Sequence, residues 1–277
     1  MTLGEVLAAT CEYLTRKGLA TPRLDAELIL SKALGLTRLE LYTSFDKPLT
    51  EAERDVARTL VERRGRREPL AYVLGEWGFR RLALRTDARA LVPRPETETV
   101  VERALAAIAG IDAPRVVDVG TGTGAIALAI ADEYPGARVS ATDISPDALA
   151  LARENAERLR LAVEFVETNL LDGVAGPFDL VVSNPPYVAA EELADLEPEV
   201  RDFEPRLALV GEGQTAELAA AARRVLCPGA AIVLECHAYK AGEVSSLLER
   251  LGYDTVTISV DLAGRERVVE AREPIAG

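Results

Sequence analysis

The residues Asn184, Pro185, Pro186 and Tyr187 directly follow a short apolar segment, 178–182, that is typical of a buried strand. Proline has no backbone N–H and biases the preceding residue toward an extended conformation, so this pair ends the strand in a stiff turn. The turn brings together an amide side chain, the free carbonyl of Pro185 and an aromatic ring. Such an arrangement could hold a planar NH2 group, although an isolated Pro-Pro pair is more often only the end of a strand.

A glycine-rich turn is the second candidate for chemistry. It follows the apolar segment 115–119 and precedes an alanine-rich segment, 125–131, that favours a helix. A strand that runs through glycines into a helix directs backbone N–H groups at a ligand and lets that ligand approach closely. We therefore predict ligand contacts from the residues of this turn, which are Gly120, Thr121, Gly122, Thr123 and Gly124.

Asp143 follows the next predicted strand, 138–142, and its carboxylate could accept hydrogen bonds from both hydroxyls of a ribose. Gly120, Gly122 and Ala125 also fit the dinucleotide pattern G-x-G-x-x-G/A, for which an acidic residue is expected about 20 positions further on. The residues thus predict a ligand that contains a nucleoside and leave open whether it is a dinucleotide.

The elements that position these residues alternate between strands and helices, as expected for an α/β fold with a doubly wound, mostly parallel sheet. Predicted helices include 146–159 and 215–226, and the last two strands alternate apolar and polar residues around Gly264, which indicates a closing antiparallel hairpin. The seven predicted strands are 115–119, 138–142, 163–167, 178–183, 230–235, 254–260 and 267–271.

The first part of the chain predicts a small all-α domain. Thr2 with Glu5 and Thr50 with Glu53 form capping boxes, and Thr21 precedes a proline suited to the first helical position. From residue 72 to 92 the pattern changes to alternation, which favours a β-hairpin. We therefore predict a helical domain at 1–72, a hairpin linker at 73–94 and the α/β domain at 95–277.

Composition narrows the function. No apolar run approaches the roughly 18 residues that cross a bilayer, and the polar start is no signal peptide, so we expect a cytoplasmic protein. The three cysteines show no paired spacing, so neither a disulfide framework nor a zinc or other metal site is expected. The single histidine, His237, has no recognisable catalytic partner, which disfavours hydrolase chemistry.

Charge is divided unevenly. Residues 1–88 carry 15 lysines and arginines against 13 aspartates and glutamates, and the remaining 189 residues carry 17 against 32. Phosphate backbones are normally bound by many basic residues, so nucleic acid is not expected as the main substrate. The exception is a basic cluster at Arg63, Arg64, Arg66 and Arg67, which is either a solvated helix end or a face that binds a partner.

Together, the glycine turn, Asp143 and the sequence Asn-Pro-Pro-Tyr resemble a class I S-adenosylmethionine-dependent methyltransferase acting on planar nitrogens. The segments 91–98 and 200–206 narrow this resemblance to the HemK/PrmC family. Members of that family are peptide chain release factor N5-glutamine methyltransferases, which methylate the glutamine of a Gly-Gly-Gln motif. The resemblance covers nearly the whole chain, including its helical N-terminal part.

The resemblance implies a Rossmann-like, seven-stranded methyltransferase sheet, S-adenosylmethionine as cofactor and S-adenosylhomocysteine as product. It also implies a role in translation termination through protein methylation, with release factors as partners of a monomeric enzyme that is not bound to membranes. The helical domain would dock the substrate.

Carried over residue by residue, the glycine turn would pass beneath the methionine and ribose, and Asp143 would hold the ribose. Asn169 and Leu170 would lie at the adenine, where the family commonly has an acidic residue followed by an aromatic one. Asn184 would touch both cofactor and substrate. The residues assigned to glutamine binding are Asn184, Pro185, Pro186 and Tyr187, with Asn184, Pro185 and Tyr187 as the catalytic set.

Three alternatives remain at this point. An adenine-N6 methyltransferase acting on DNA or RNA would present the same planar NH2 group after base flipping. A related group methylates a glutamine of a ribosomal protein; Pro95, where that group would have serine, favours the release factor branch. A protein that only binds S-adenosylmethionine or a dinucleotide would share the glycine turn.

Overall fold

The structure is a computed structural model and describes residues 1–211 and 213–275. Contacts within the chain divide it into two compact units. The first consists of Met1–Glu76 together with Glu197–Phe203, and the second of Trp77–Leu196 and Glu204–Gly277. In the described ranges, no helix is long and apolar enough to cross a lipid bilayer.

An all-helical start is followed by strands that alternate with helices. The chain begins with the helices α1 (Leu3–Arg16), α2 (Pro22–Leu34), α3 (Arg38–Thr43), α4 (Glu51–Gly65) and α5 (Leu70–Leu74). A two-stranded sheet follows, made of β1 (Glu76–Phe79) and β2 (Leu82–Arg85). The remaining elements are α6 (Thr97–Ala107), β3 (Arg115–Val119), α7 (Ala125–Glu133), β4 (Arg138–Asp143), α8 (Pro146–Leu159), β5 (Val163–Glu167), β6 (Phe178–Ser183), α9 (Pro198–Phe203), α10 (Arg206–Leu209), α11 (Gln214–Ala222), β7 (Leu226–Glu235), α12 (Ala241–Arg250), β8 (Asp254–Val260) and β9 (Glu266–Arg272).

Helix starts in the first unit follow the predicted capping chemistry. Thr2 and Thr50 each form a capping box with the glutamate three residues on, and Thr37 forms a third, with Glu40, that the sequence reasoning did not single out. Thr21 is at the N-cap of α2, but its hydroxyl donates to Asp25 Oδ1 at 2.7 Å and makes no cap hydrogen bond. The predicted start of α2, with Thr21 at the N-cap and a proline in the first turn, is confirmed, although the Thr21 side chain makes no capping hydrogen bond.

The basic cluster of the first unit is largely used in ion pairs within that unit. Arg63 binds Glu68, and the buried Arg64 donates from Nε to Asp25 at 2.7 Å. Glu199 of α9 accepts from Arg64 at 3.0 Å and from Arg67 at 2.6 Å. Three of the four arginines thus hold the unit together, and only Arg66 is exposed without such a pair in the described residues.

The second unit is built on a sheet whose seven strands, among the residues described, run in the order β5-β4-β3-β6-β7-β9-β8. The first five strands in this order are parallel to one another, and β9 pairs antiparallel with both β7 and β8. Alternate residues of β3 and β6 enter the apolar cores on the two faces of the sheet, with Val116 and Leu180 on one and Val117 and Val181 on the other. The predicted mostly parallel seven-stranded sheet with a closing hairpin is confirmed.

The predicted border between helix 215–226 and strand 230–235 is wrong. Helix α11 ends at Ala222, and β7 already begins at Leu226. The reason is long-range pairing: Leu226 lies opposite Phe178, whose N–H donates to Val225 O at 2.7 Å. The register shifts between Leu226 and Ala231, near Gly229, where φ is 79°. Because this bulge interrupts the regular strand pattern, the pattern alone does not predict that β7 begins at Leu226.

Candidate active site at the carboxyl edge of the sheet

The site lies where the strand order of the sheet reverses. From β3 the chain builds outward through β4 and β5, and then returns to the other side of β3 with β6. Ligands of open α/β sheets bind at such switch points, beyond the carboxyl ends of the strands. Gly120 follows β3 and Asn184 follows β6, so the two strongest sequence motifs flank the switch point.

A cleft opens at this edge, with an empty volume of about 910 Å³ that includes the part open to solvent. One wall, the glycine side, contains Gly120, Gly122 and Asp143, and the other, the proline side, contains Asn184, Pro185 and Pro186. Asn169 and Leu170 also line the cleft. Of the predicted site residues, those that do not line it are Thr121, Thr123, Gly124 and Tyr187.

The glycine side is shaped by the main chain. Gly120 has φ of 72°, and the N–H groups of Gly120 and Thr121 both donate to Thr142 O, at 2.8 and 2.9 Å. A Cβ added at Gly120 would meet no atom within 4 Å, so the missing side chain leaves open space beside the cleft. Gly124 has a different role, because a Cβ there would be 2.9 Å from Leu128 Cδ1 at the start of α7.

Asp143 is held by backbone donors. Its Oδ2 accepts from the N–H of Gly122 and its Oδ1 from the N–H of Ser145, both at 2.9 Å. Burial raises the pKa of this carboxyl, although the backbone hydrogen bonds act against the rise. Each oxygen has further lone pairs, so the carboxylate is oriented and can still accept hydrogen bonds from a ligand in the cleft.

The side chain of Asp118 is a buried partner of the glycine turn that the sequence reasoning missed. Its Oδ2 accepts from Thr121 Oγ1 at 2.6 Å and from the N–H of Ala127 at 3.2 Å, while Oδ1 has no partner in the described residues. Burial raises the pKa of Asp118 to about 7. A carboxyl inside the otherwise all-valine end of β3 was the sequence signal that could have revealed it.

The proline side is anchored to the sheet and to the loop that follows. Ser183 donates from Oγ to Val119 O at 2.6 Å, which ties the ends of β6 and β3 together. Gly211 packs so closely that a Cβ there would be 2.1 Å from Pro186 O. Within the described residues, neither Asn184 Oδ1 nor Pro185 O accepts a hydrogen bond. Both oxygens therefore remain as acceptors for a ligand.

Tyr187 is half-buried and has its ring beside His237, with the centroids 6.0 Å apart in an edge arrangement. Lys240 donates to Tyr187 O at 3.3 Å. Burial, followed by the charge of Glu235, raises the pKa of Tyr187 to about 12, so its hydroxyl stays protonated at neutral pH. His237 itself accepts from the N–H of Tyr239 at 3.4 Å, which is a local structural contact.

Other residues of the cleft were not predicted. The short helix α10 and the residue before it contribute Pro205, Leu207 and Ala208, and the first residue of α11 contributes Gln214. The first three follow Glu204, whose buried carboxylate accepts from Arg94 at 2.7 Å. No local motif marks Leu207, Ala208 or Gln214 as ligand contacts, whereas Pro205 lies in the segment 200–206 that carries part of the family resemblance. Among the described residues, no group of three or more histidine, cysteine or acidic side chains is arranged to hold a metal ion.

Comparison with known proteins identifies the family. A family model described as the PrmC N-terminal domain matches residues 5–75, and one described as the methyltransferase small domain matches residues 100–197. The release factor glutamine methyltransferase of Deinococcus radiodurans is 44% identical over 278 residues, covering 98% of this chain and 99% of that protein. The protein of the same name from Chlorobaculum tepidum is 43% identical over 259 residues, covering 88% of each.

A solved structure supports the fold alone. The crystal structure of a methyltransferase from Pyrococcus furiosus superposes with a TM-score of 0.53 at 19% identity, covering 69% of this chain and 89% of that one. The identity to the two curated relatives extends over both units of this chain. The chain therefore belongs to the family of release factor glutamine methyltransferases.

Proposed function

We propose that this protein transfers a methyl group from S-adenosylmethionine to the side-chain amide nitrogen, N5, of the glutamine in the Gly-Gly-Gln motif of peptide chain release factors. The observation that carries this proposal is the pair of unused acceptors, Asn184 Oδ1 and Pro185 O, on the proline side of the cleft. A primary amide has two N–H groups, and two neighbouring acceptors match them.

The residues of the glycine side fit the proposed cofactor. The open space beside Gly120 allows a ligand to approach the backbone, and Asp143 has a carboxylate oriented toward the cleft for ribose hydroxyls. Asn169 and Leu170 would contact the adenine. When bound, S-adenosylmethionine supplies an electrophilic methyl group on a positively charged sulfur.

The chain's own task is to orient a weak nucleophile. The lone pair of an amide nitrogen is delocalised into the carbonyl, so placing the nitrogen in line with the methyl group is the main requirement. In our proposal Asn184 Oδ1 and Pro185 O each accept one N–H. They thereby fix the amide plane and stabilise the positive charge that develops on nitrogen. The nitrogen forms a bond to the methyl carbon as the carbon–sulfur bond breaks.

No general base is required before methyl transfer, because the amide N–H becomes acidic only afterwards and its proton then passes to water. Tyr187 stays protonated and, although it does not line the cleft, we propose that its ring packs against the bound glutamine amide. The side chain of His237 is not needed in this scheme.

The decisive experiment is mass spectrometry of a purified release factor incubated with this protein and S-adenosylmethionine. We expect a gain of one methylene mass on the glutamine of the Gly-Gly-Gln motif, with S-adenosylhomocysteine as the second product. A factor in which that glutamine is replaced by asparagine is the matched control and should gain no mass. Methylation of DNA, RNA or a ribosomal protein, and not of the release factor, would contradict the proposal.

We further propose that the first unit docks the body of the release factor. Leu39 is 74% exposed there, and Leu24 and Tyr42 are also exposed large apolar side chains of the same unit. Because Arg63, Arg64 and Arg67 already form ion pairs within the first unit, we propose that the exposed apolar side chains, and not the arginine cluster, bind the release factor. We expect a monomeric, cytoplasmic enzyme without a nucleic acid substrate, consistent with a net charge of −13.

Docking predicts that Leu39→Asp lowers kcat/KM for an intact release factor by roughly 10-fold or more, the size of losing one interface contact of over 1 kcal/mol. Turnover of a short Gly-Gly-Gln peptide should not change. Leu262→Asp is the matched control, because Leu262 is 102% exposed but belongs to the second unit. Equal losses on factor and peptide, or no loss on either, would exclude docking through Leu39.

A further inference from the structure

Three side chains from distant parts of the sequence meet behind the proline side of the cleft. Strands β6 and β7 are parallel neighbours, and Ser183 lies opposite Leu234. The next residues, Asn184 just after β6 and Glu235 at the last position of β7, therefore lie side by side. Thr97, the first residue of α6, lies between their side chains.

A hydrogen-bond chain connects these three residues. Asn184 donates from Nδ2 to Thr97 Oγ1 at 3.2 Å, and Thr97 donates from Oγ1 to Glu235 Oε2 at 2.7 Å. Thr97 is 4% exposed and Glu235 is fully buried. The second carboxyl oxygen, Glu235 Oε1, has no hydrogen-bond partner in the part of the chain described.

The direction of this hydrogen-bond chain follows from proton counting. A threonine hydroxyl carries one proton, and a carboxylate can only accept. Once the Thr97 proton is given to Glu235, Thr97 Oγ1 can only accept from Asn184. The amide must then turn its NH2 group toward Thr97, which leaves Oδ1 for another partner.

The two prolines remove the local alternative. An asparagine side-chain oxygen commonly accepts from a backbone N–H two residues on. Here the next two residues are Pro185 and Pro186, which have no N–H. The backbone that follows Asn184 thus offers Oδ1 no donor and cannot fix the amide orientation, so the orientation has to come from elsewhere in the fold.

We propose that Thr97 and Glu235 are positioning residues that hold the Asn184 amide with its oxygen presented to the substrate. The inference rests on the proposed function, because it concerns the acceptor that would bind the glutamine N–H. Beyond that function, we infer that the Glu235 carboxyl, which would not contact the substrate, orients the Asn184 amide so that its oxygen is free to accept a hydrogen bond.

The burial of Glu235 supports a functional reason for its retention. Burying a carboxyl with one unpartnered oxygen is unfavourable, and such groups persist where the surrounding structure uses them. Burial raises the pKa of Glu235 to about 7. As a carboxylate, Glu235 can only accept, and when it is protonated Oε2 still accepts from Thr97 if the proton is on Oε1, which has no other hydrogen-bond partner in the described residues.

The test compares turnover of a release factor by the wild-type enzyme and by variants at Thr97. Thr97→Val removes the hydroxyl at nearly constant shape, and we expect kcat to fall about 10-fold with KM for S-adenosylmethionine unchanged, as for loss of one buried hydrogen bond. Thr97→Ser keeps the hydroxyl and should stay within about 2-fold of the wild type. Thr99→Val, on the same helix but outside the hydrogen-bond chain, is the matched control and should leave kcat unchanged.

A double-mutant cycle shows whether Thr97 acts through Asn184. In an Asn184→Ala background, Thr97→Val should cause no further loss, because the amide to be oriented is already absent. Additive losses would overturn the proposal. Glu235→Gln adds a competing donor beside Thr97, and we expect a loss of kcat between those of Thr97→Ser and Thr97→Val; unchanged turnover would remove Glu235 from the hydrogen-bond chain.

A readout without turnover separates this inference from the proposed function. In NMR spectra of the protein without substrate, the side-chain NH2 protons of Asn184 should exchange slowly with water. Exchange should accelerate in Thr97→Val and not in Thr97→Ser or Thr99→Val. Fast exchange in the wild type would overturn the positioning role even if release factors are methylated, and slow exchange would support it even if they are not.

Discussion

The two sides of the cleft are built by different means. On the glycine side, Asp143 is held by the N–H groups of Gly122 and Ser145, which are close to it in sequence or in the adjacent turn. On the proline side, Asn184 is held by Thr97, which is 87 residues away in the chain. A side chain held by main-chain N–H groups keeps its partners when neighbouring side chains change, whereas a side chain held by another side chain depends on that residue. The comparison predicts a steeper loss of function from single substitutions on the proline side.

The largest expected effect is at Asn184. We expect Asn184→Ala to lower turnover of the release factor by about 10²-fold or more, by analogy with loss of a preorganised partner of developing charge. Cofactor affinity should remain nearly intact, because the glycine side is unchanged. Single-turnover kinetics and equilibrium binding of S-adenosylmethionine measure the two quantities. Near-normal turnover would contradict the predicted difference between the two sides, since substitutions on the proline side would then reduce activity no more than those on the glycine side.

The second expected effect concerns the free energy of unfolding, which the buried carboxyl of the hydrogen-bond chain lowers at neutral pH. Because burial raises the pKa of Glu235 to about 7, the folded chain keeps a proton that the unfolded chain releases near pH 4.5, so stability falls as the pH rises between these values. We expect about 2 kcal/mol of the free energy of unfolding to be lost through Glu235 between roughly pH 5 and 7. The charge of Glu96 adds to this effect, and Arg267 and Arg94 oppose it.

Urea unfolding of the wild type and of Glu235→Gln at both pH values tests this expectation. Asp118, whose pKa burial also raises to about 7, contributes equally to both proteins and cancels in the difference. The Glu235→Gln variant should therefore show the shallower loss of stability with rising pH. Parallel curves for the two proteins would mean that Glu235 is not protonated in the folded state.

The smallest effect is expected on the glycine side. Asp143→Ala should weaken binding of S-adenosylmethionine by about 10-fold, which corresponds to one or two hydrogen bonds, and should leave kcat at saturating cofactor within a few-fold. Asp147→Ala removes the same charge from an exposed position four residues further on and is the control. Isothermal titration calorimetry measures the affinities. A loss of kcat as large as that of Asn184→Ala would erase the distinction between the two sides.

The parts of the fold that could be predicted are those set by local pattern. The bounds of β3, β5, β6 and β8 agree with the predicted strands, because β3 and β6 are buried apolar runs and β5 and β8 alternate apolar and polar residues, and both patterns are local. The glycine turn and Asp143 were recognisable for the same reason, since strand, turn and helix are consecutive. The early start of β7 was missed because pairing with Phe178, and not local sequence, sets it.

The hydrogen-bond chain that connects Asn184, Thr97 and Glu235 could not be predicted from local sequence patterns either. Thr97 begins a helix and Glu235 ends a strand, and neither position by itself indicates a contact with residue 184. Both carboxyls whose pKa burial raises to about 7, Asp118 and Glu235, lie in otherwise apolar strands. An acidic residue inside an apolar strand was the available signal, because such burial is unfavourable without a partner.

The membership of α9 in the first unit has a consequence for protein engineering. The polypeptide passes between the units three times, after residues 76, 196 and 203, so the first unit is not a simple N-terminal appendage. Cutting near residue 72 would leave Glu199 without Arg64 and Arg67. A chimera that exchanges the first unit between relatives must therefore carry Glu197–Phe203 along with the N-terminal helices, and this segment ends two residues before Pro205, which lines the cleft.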